Sequence, residues 1–433
     1  MLVALIFDTD APFLPEKASG SSLPPSLPAG TRLAGLTLLQ RTVRMAWKAG
    51  AEEVWIMAAD PEAANRLVQQ EPPRPLPIRV LPVAGGAPPL LSPADQEFLV
   101  LAAPLLGTDA GLARLRDVGR TLGRPVRAIT SGGSEARALF LAGSALAAKL
   151  RPGADLAGVV CALAADPAVE RCEVPFRRLD SPEALAEADR SLYVGLTSIS
   201  DGWVDRVFNR KISGWVTRHL IHLPITPNQV TWFHFSLGLL AAALFWRGDY
   251  LADLLGAIFF QLSVALDCTD GEIARIKYLF SRFGSRLDVA ADNVVTVAVF
   301  AAIAHAAAER LGTGTALTLG AFSVTGVLAC IGTVLWMARL QARVQPGEAS
   351  ALSVTNRLSD QDQMRHAGEK SLVDRVINEA TSRDYSVIVV AFALLGRLEW
   401  FAWLAAIGSH LFWIVFGLIQ YSRLQVRNVA QGR

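Results

Sequence analysis

Four aspartates stand between two long apolar runs in the second half of this chain: Asp267, Asp270, Asp288 and Asp292. A carboxylate inside a bilayer is costly and is usually functional. Because helical residues three or four apart share a face, each pair should point two carboxylates the same way. Gly271 marks either the end of the first helix or a close approach of the backbone to a ligand, and Gly284 falls where the chain should turn back toward the second helix. The spacing therefore predicts a site at two helix ends for divalent cations, which prefer oxygen ligands.

These carboxylates have two alternative roles besides metal binding. They can form an interhelical ion-pair network, with Arg275, Lys277, Arg282 and Arg286 as partners. They can also line a cation pathway in a non-enzymatic transport or binding protein. A transporter favours broken helices and repeats in two halves, and the sequence shows neither.

The apolar excess of the chain is concentrated after residue 228. The composition is 52% hydrophobic and the mean hydropathy is +0.34, which is too apolar for an average soluble protein. Because a bilayer needs about 20 apolar residues per helix, we predict an all-α membrane domain of six transmembrane helices. The predicted spans are 229–247, 250–269, 286–308, 314–338, 384–397 and 399–422. The formal net charge of +2 implies no nucleic acid partner.

The loop charges predict an orientation in the membrane. On one side, the short loops hold Arg247, Arg310 and Arg397, whereas the opposite side holds many more basic residues. The positive-inside rule makes the second side cytoplasmic. We therefore expect a multi-pass protein of a bacterial or archaeal cell membrane, with both termini and the aspartates facing the cytoplasm.

The pattern D-x2-D-G-x2-A-R-x8-G-x3-D-x3-D from Asp267 to Asp292 resembles the signature of the CDP-alcohol phosphotransferases at every fixed position. The resemblance implies transfer of a substituted phosphoryl group from a CDP-linked donor to an alcohol, with release of CMP. It implies two Mg²⁺ ions, for which Mn²⁺ can substitute, and a homodimer through the membrane domain. All four aspartates are the implied metal ligands, and Asp292 is also the general base. The implied nucleotide-binding residues of the motif are Gly271, Ala274, Arg275 and Gly284.

Further polar residues near the motif have two interpretations each. Asn228 lies in Pro227-Asn-x-x-Thr231, which resembles the start of this family's first span, so it either contacts the nucleotide or caps a helix. Arg282, Arg286 and Arg383 either bind an acceptor phosphate, which suits the arginine fork, or act as anchors and local ion pairs.

Residues 196–228 are predicted to form a linker and an amphipathic helix. Apolar and charged residues are mixed there, which indicates a helix in the membrane interface, broken near Ser213-Gly214. The alternative is a helix that packs on a soluble domain. The histidines within the spans, His234, His305 and His410, are expected to form interhelical hydrogen bonds rather than to bind metal.

The first 195 residues alternate strands with helices, which predicts a cytoplasmic, doubly wound α/β domain. Predicted strands are 2–7, 53–57, 78–81, 98–102 and 126–129, and predicted helices are 36–49, 61–69, 109–122, 142–150 and 182–192. The order resembles a sugar-nucleotidyltransferase, and the whole chain, with its membrane domain over 229–433, resembles the layout of the fused inositol-phosphate cytidylyltransferase and di-inositol-phosphate-phosphate synthase proteins. The donor is then CDP-inositol or CDP-diacylglycerol, and an inositol phosphate is an expected acceptor.

The catalytic motifs of a nucleotidyltransferase do not carry over to this first domain. Phe7 is followed by Asp-Thr-Asp-Ala-Pro, and Gly30-Thr-Arg32 comes too late to be the usual phosphate loop. Ala103 and Pro104 stand where that resemblance expects a metal-binding acid, and Asp109 comes too late to replace it. We expect a degenerate domain with a structural or regulatory role. The alternative is a bifunctional enzyme whose first domain makes the CDP-alcohol from CTP.

Overall fold

A computed structural model describes residues 1–8, 27–69, 77–83, 96–130, 135–149, 156–166, 168–194, 196, 208–344 and 385–430. The chain divides into two compact units. The first comprises Met1–Val194 with Ile276–Tyr278, and the second comprises Gly195–Arg275 with Leu279–Arg433.

The first unit is built on a seven-stranded, mostly parallel sheet. Its strands are β1 (Leu2–Phe7), β4 (Glu53–Ala58), β5 (Ile78–Pro82), β6 (Glu97–Ala102), β8 (Val126–Ile129), β9 (Glu135–Ala142) and β10 (Glu170–Glu173). Two separate two-stranded sheets consist of β2 (Arg32–Leu33) with β3 (Leu36–Thr37) and of β7 (Leu105–Leu106) with β11 (Arg177–Arg178). The order is β10-β8-β9-β6-β1-β4-β5. Only β9 runs antiparallel to its neighbours in this sheet.

Helices cover both faces of this sheet. They are α1 (Leu38–Lys48), α2 (Pro61–Gln69), α3 (Asp109–Leu122), α4 (Gly143–Lys149), α5 (Leu156–Ala165) and α6 (Pro182–Val194). Alternate residues of β1 enter two different cores, because side chains of a strand point to opposite faces. One core includes residues of α1 and α3, and the other includes residues of α4 and α5. The predicted doubly wound α/β class is therefore confirmed.

The structure contains each of the predicted strands and helices of this unit, with bounds shifted by up to two residues. The sequence prediction missed β9, α5 and β10. Strand β9 follows β8 along the chain and pairs with it, and it inserts between β8 and β6 against the direction of the sheet. Simple alternation of parallel strands and helices does not anticipate such an element.

A buried arginine ties together distant backbone segments of the first unit. Arg41 is 1% exposed, and its guanidinium donates hydrogen bonds to the carbonyl oxygens of Leu33 at 2.8 Å and of Ile276 at 3.0 Å. The Tyr278 hydroxyl donates to the carbonyl oxygen of Gly107 at 3.2 Å. Ile276–Tyr278 thus belong to this unit through hydrogen bonds from side chains to backbone carbonyl oxygens, which no local sequence pattern specifies.

The second unit is entirely helical in the described part of the chain. Its helices are α7 (Arg210–Leu220), α8 (Pro227–Arg247), α9 (Tyr250–Lys277), α10 (Arg282–Ala306), α11 (Ala308–Leu311), α12 (Thr313–Val344), α13 (Tyr385–Leu394) and α14 (Leu398–Ala430). Pro227 is the first residue of α8, where its missing N–H costs nothing. Gly248 ends the same helix in the left-handed conformation, at φ 73°. Ser281 caps α10 by accepting a hydrogen bond from the Gly284 amide at 2.8 Å.

Packing in this unit is apolar on the inside and also on much of the outside. Phe245, Phe260 and Phe401 are at most 1% exposed in one core. Trp232, Phe233 and Ile258 project outward and are more than half exposed, which fits a lipid environment. A Cβ on Gly238 would lie 2.6 Å from Val295, so this glycine permits the close approach of α8 and α10.

Five helices, not the predicted six, are long and apolar enough to cross a membrane among the described residues. They are Pro227–Arg247, Tyr250–Lys277, Phe283–Ala306, Thr313–Thr333 and Leu398–Val415. The predicted fifth span corresponds to α13, which has 10 residues and ends before Gly396, at φ 63°. Such a helix is about 15 Å long, half of the ~30 Å hydrocarbon core. The five helices are consistent with a multi-pass membrane protein.

Two local expectations are wrong. The first membrane helix of the motif does not stop at Gly271, because α9 continues to Lys277. The turn comes at Tyr278, at φ 55°. Nor is there a break at Ser213-Gly214, because α7 runs unbroken through both residues. The residues predicted to precede α7, 201–207, lie outside the described part of the chain.

Candidate functional site

Three consecutive helices of the second unit bring titratable side chains together. Asp267 and Asp270 lie on α9, Asp288 lies on α10, and His234 lies on α8. One ligand atom from each of His234, Asp267 and Asp288 lies within 4.8 Å of the other two. The structure therefore places residues from both halves of the aspartate motif, and a histidine from outside it, around one point.

His234 faces this cluster from a buried position. Its side chain is 2% exposed, and Nε2 lies 3.7 Å from Oδ1 of Asp267 and 3.6 Å from Oδ2 of Asp270. Both distances exceed hydrogen-bond length, and Nε2 has no hydrogen-bond partner among the described residues. The neighbouring backbone is fixed, because the Ser263 hydroxyl donates to the His234 carbonyl oxygen at 2.7 Å.

Asp270 is held by the helix that carries His234. The Thr231 hydroxyl donates a hydrogen bond to Oδ2 of Asp270 at 2.5 Å. Both residues are buried, so this bond gives the carboxylate a hydrogen-bond partner inside the protein. Thr231 thereby fixes the orientation of the Asp270 carboxylate.

The remaining predicted residues of the catalytic and acceptor sites fall into three groups. Asp292 follows Asp288 by one turn of α10 and is half-buried, so both carboxylates share a face. Arg286 is exposed in the first turns of α10, and α10 begins at Arg282. Arg383 lies outside the described residues.

The residues assigned to the nucleotide lie at the starts and ends of the same helices. A Cβ on Gly284 would lie 2.6 Å from Oδ1 of Asn228, so the starts of α8 and α10 meet at a glycine. Asn228 is not the N-cap of α8, since that residue is Thr226. Ala274 is buried, whereas Arg275 is exposed, and its Nη1 would lie 3.5 Å from a Cβ on Gly271. Because 3.5 Å is an ordinary van der Waals contact, the Arg275 guanidinium does not itself require a glycine at position 271.

A buried glutamate within the motif accepts hydrogen bonds from a neighbouring helix. Glu272 is 1% exposed and receives three hydrogen bonds from α7. The donors are Arg210 Nη1 at 3.0 Å, the Ser213 hydroxyl at 2.8 Å and the Thr217 hydroxyl at 2.5 Å. Ser213 and Thr217 are fully buried, so this face of α7 packs within the unit. These bonds join α7 to the helix that carries Asp267 and Asp270.

Sequence reasoning missed the roles of Thr231, His234 and Glu272 in this arrangement. His234 was expected to form an interhelical hydrogen bond, which its Nε2 does not make. His410 does make such a contact, with its Nε2 2.9 Å from the Phe322 carbonyl oxygen, while His305 stacks on Trp246 at 3.9 Å. The spacing of Thr231 and His234 is one available signal, because residues three apart share a face of α8.

The donor atoms fit a divalent metal ion. The aspartates supply the oxygen ligands that Mg²⁺ prefers, and they come from two helices. The buried Nε2 of His234, without a hydrogen-bond partner among the described residues, faces the same point and is a further donor. A buried polar atom of this kind requires a partner, and metal coordination supplies one.

In the first unit, the described residues at the carboxyl ends of β1 and β6 include the positions where the nucleotidyltransferase motifs would lie. Ala103 is fully buried after β6 and donates its amide to the Phe7 carbonyl oxygen at 2.7 Å. Asp8 follows β1, and its Oδ2 accepts a hydrogen bond from the Ala59 amide at 3.0 Å. Burial raises the pKa of the Asp8 carboxyl above its ordinary value, against the lowering effect of that bond. Asp109 lies at the start of α3.

The site lies in a segment that matches a known family. Residues 224–358 match the model of the CDP-alcohol phosphatidyltransferase family. The segment therefore resembles a CDP-alcohol phosphatidyltransferase domain. A relative from Aquifex aeolicus, named bifunctional IPC transferase and DIPP synthase, is 34% identical over 127 residues, which cover 29% of this chain and 28% of the relative. A relative of the same name from Rubrobacter xylanophilus is 28% identical over 324 residues, which cover 65% of this chain and 73% of the relative.

The matched segment covers less than a third of the Aquifex relative and of two further relatives of the same name, at 28%, 29% and 25% of their lengths. The family match and the names of the relatives indicate a transferase of phosphate-containing groups. They confirm the predicted resemblance to the CDP-alcohol phosphotransferases.

Two kinds of solved structure resemble parts of the chain. UDP-glucose pyrophosphorylase from Acinetobacter baumanii has a TM-score of 0.31 at 14% identity, over 45% of this chain and 93% of that one. Phosphatidylinositol phosphate synthase from Mycobacterium tuberculosis with CDP-DAG bound has a TM-score of 0.27 at 19% identity, over 47% of this chain and 90% of that one. Because both TM-scores are below 0.5, neither structure supports an argument about this chain.

Replacing Thr231 by valine should weaken metal binding about 10- to 100-fold, because the residue orients Asp270 without facing the ion itself. Thr231→Ser keeps the hydroxyl and is the matched control. Titration of each purified protein with Mn²⁺, followed by the loss of free-ion electron paramagnetic resonance (EPR) signal, measures the affinity. Equal affinities for the valine and serine variants would exclude this role of the hydroxyl.

Replacing Arg210 by methionine should destabilise the second unit by about 3–5 kcal/mol, because the fully buried Glu272 loses its ionic partner. Changing both Arg210 and Glu272 to methionine should recover most of this loss, since no buried charge then remains. Thermal unfolding in detergent, followed by scanning fluorimetry, ranks the variants. A double variant as unstable as Arg210→Met alone would contradict the role of the ion pair.

Proposed function

We propose that the chain is a divalent-metal-dependent CDP-alcohol phosphotransferase. The observation that carries this proposal is the convergence of Asp267 from α9 and Asp288 from α10, beside His234, inside the segment that matches the family. The reaction joins an alcohol oxygen to the phosphorus of the transferred group, the β-phosphorus of the donor. The bond from this phosphorus to CMP breaks, and the products are a phosphodiester and CMP.

The four aspartates divide the work in this proposal. Asp267, Asp270, Asp288 and Asp292 hold two divalent ions, Mg²⁺ in the first place and Mn²⁺ as a substitute. When bound, these ions neutralise the diphosphate and favour in-line displacement at phosphorus. Asp292 takes the proton from the acceptor hydroxyl as the new bond forms. The position of Asp292 one helical turn from Asp288 supports this pairing of roles.

The residues around the aspartates position the two substrates. Gly271, Ala274 and Arg275 contact the cytidine diphosphate on the α9 side, and Asn228 and Gly284 contact it where α8 and α10 meet. The close approach of Asn228 to Gly284 supports this placement. Arg282, Arg286 and Arg383 bind the acceptor phosphate. The exposure of Arg286 is compatible with this role.

The substrates follow from the relatives rather than from the site. An inositol phosphate is the acceptor, and a CDP-inositol or CDP-diacylglycerol type of molecule is the donor. The sequence resemblance to the fused synthases, together with the names of the relatives, is the support for these substrates. Both donors share the diphosphate that a metal site recognises, so the aspartates alone do not discriminate between them.

We also propose the setting of the enzyme. The first unit and both termini face the cytoplasm, with the site on the same side of a bacterial or archaeal membrane. Residues 1–195 form the cytoplasmic domain, 196–228 the linker and interfacial helix, and 229–433 the catalytic domain. The chain acts as a homodimer through its membrane helices.

Asp292→Asn should lower the rate of CMP release by at least about 100-fold, because amide nitrogen and oxygen cannot take up the acceptor proton. The assay contains the full-length protein in lipid nanodiscs, with Mg²⁺ or Mn²⁺, CDP-diacylglycerol or CDP-inositol, and inositol phosphate as acceptor. CMP is quantified by chromatography with time.

Asp249→Asn is the matched control for this experiment. Asp249 is exposed and caps the start of α9, at the opposite end from the motif, and asparagine caps equally well. This variant should keep wild-type turnover. Full turnover by Asp292→Asn would refute its role as base, and no CMP release by the wild-type protein with any of these donors would refute the proposed function.

A second function for the first unit is favoured by one observation, the word bifunctional in the names of the relatives. We propose that the first unit is nevertheless degenerate, since Ala103 is buried where an acid is expected. The full-length protein should release no pyrophosphate from CTP and inositol phosphate above the background without protein. Release that depends on inositol phosphate would establish the bifunctional alternative.

A further inference from the structure

We propose that His234 is a metal ligand, so that one position of the metal site has mixed nitrogen and oxygen coordination. This inference rests on the metal site of the proposed function and adds a residue from outside the aspartate motif. His234 lies on α8, whereas the aspartates lie on α9 and α10. A third helix is thereby connected directly to the ion.

Burial is the first support for this role. The His234 side chain is 2% exposed, and Nε2 is inaccessible to water and without a hydrogen-bond partner among the described residues. Buried polar atoms nearly always have a partner, because an unsatisfied one costs about 1–3 kcal/mol. An ion at the point that Nε2 faces would satisfy it.

The distances exclude a direct hydrogen bond as an alternative partner. Nε2 is 3.6 Å from Oδ2 of Asp270, and that oxygen already accepts the Thr231 hydroxyl at 2.5 Å. The separation from Oδ1 of Asp267 is 3.7 Å. These gaps are too long for hydrogen bonds. They fall within the range for two ligands of one ion, since bonds of about 2.1 Å place ligands between about 3.0 Å apart at a right angle and about 4.2 Å apart when opposite.

The distances within the cluster of His234, Asp267 and Asp288 agree with this role. One ligand atom each of His234, Asp267 and Asp288 lies within 4.8 Å of the others. Asp267 and Asp288 supply negative charge and hard oxygen atoms, whereas a neutral imidazole supplies nitrogen without further charge. Imidazole favours first-row transition ions over Mg²⁺, which prefers oxygen ligands. His234 should therefore shift the selectivity of this position toward Mn²⁺.

Pulsed EPR of bound Mn²⁺ tests this contact directly. The full-length protein in nanodiscs is loaded with Mn²⁺ alone, without substrates, and the electron spin-echo modulation is recorded. A coordinated histidine nitrogen should give a ¹⁴N modulation, and growth on ¹⁵N-histidine should replace it by the ¹⁵N pattern. This isotope arm needs no mutation, so a folding defect cannot affect it.

Two variants assign the signal to one residue. His234→Gln should abolish the nitrogen modulation, whereas His305→Gln should leave it unchanged. His305 is the matched control because it lies on α10, 17 residues or about 25 Å from Asp288, and stacks on Trp246. Absence of nitrogen modulation from wild-type protein with bound Mn²⁺, or its survival in His234→Gln, overturns the proposal.

A competition experiment measures the predicted selectivity. Mg²⁺ is titrated against bound Mn²⁺ in the wild type and in His234→Asn, and the released Mn²⁺ is followed by EPR. We expect the preference for Mn²⁺ over Mg²⁺ to fall by about tenfold or more when the imidazole is lost. An unchanged ratio speaks against nitrogen coordination. Because neither measurement uses CMP release, a failed ligand assignment is distinguishable from a failed enzymatic function.

Discussion

The burial of carboxylates between apolar helices is the constraint on which the rest of the second unit depends. A carboxylate removed from water must find a hydrogen-bond donor, a cation or a proton. Glu272 receives three donors from α7, and Asp270 receives the Thr231 hydroxyl. Each set of hydrogen bonds joins another helix to α9. The acidic motif therefore contributes to the packing of α7 and α8 against α9. A buried carboxylate of the candidate site, Asp270, thus lies on the same helix as Glu272, which holds this unit together.

The buried acids of this unit have two kinds of environment. Glu272 accepts three hydrogen bonds from one face of α7. Asp267 and Asp288 instead lie close to each other and to a histidine. A structural acid and an acid of the candidate metal site thus stand within five residues on one helix, and they differ in the helix face on which they lie.

The parts of the structure that follow from the sequence are those fixed by short-range periodicity. The face shared by Asp267 and Asp270, the strands β1, β4, β5, β6 and β8, and the starts of α8 and α3 all depend on neighbouring residues. The contacts of Glu272 with Arg210 and of His234 with Asp267 join residues far apart in the chain, and no local pattern specifies them. The predicted fifth span failed for a different reason, since the apolar run continues to the turn at Gly396 but the helix, α13, is only 10 residues long.

The order of the helices has a consequence for how the protein is made. The residues of the metal cluster come from α8, α9 and α10, which are consecutive and joined by short turns. Helices that enter a membrane in chain order would therefore complete the cluster when α10 arrives, while α12 and the helices beyond it are still to be synthesised. In the proposed function, the ion therefore has a complete set of ligands only after α10 has been inserted. Metal uptake is then a step in the biogenesis of the protein.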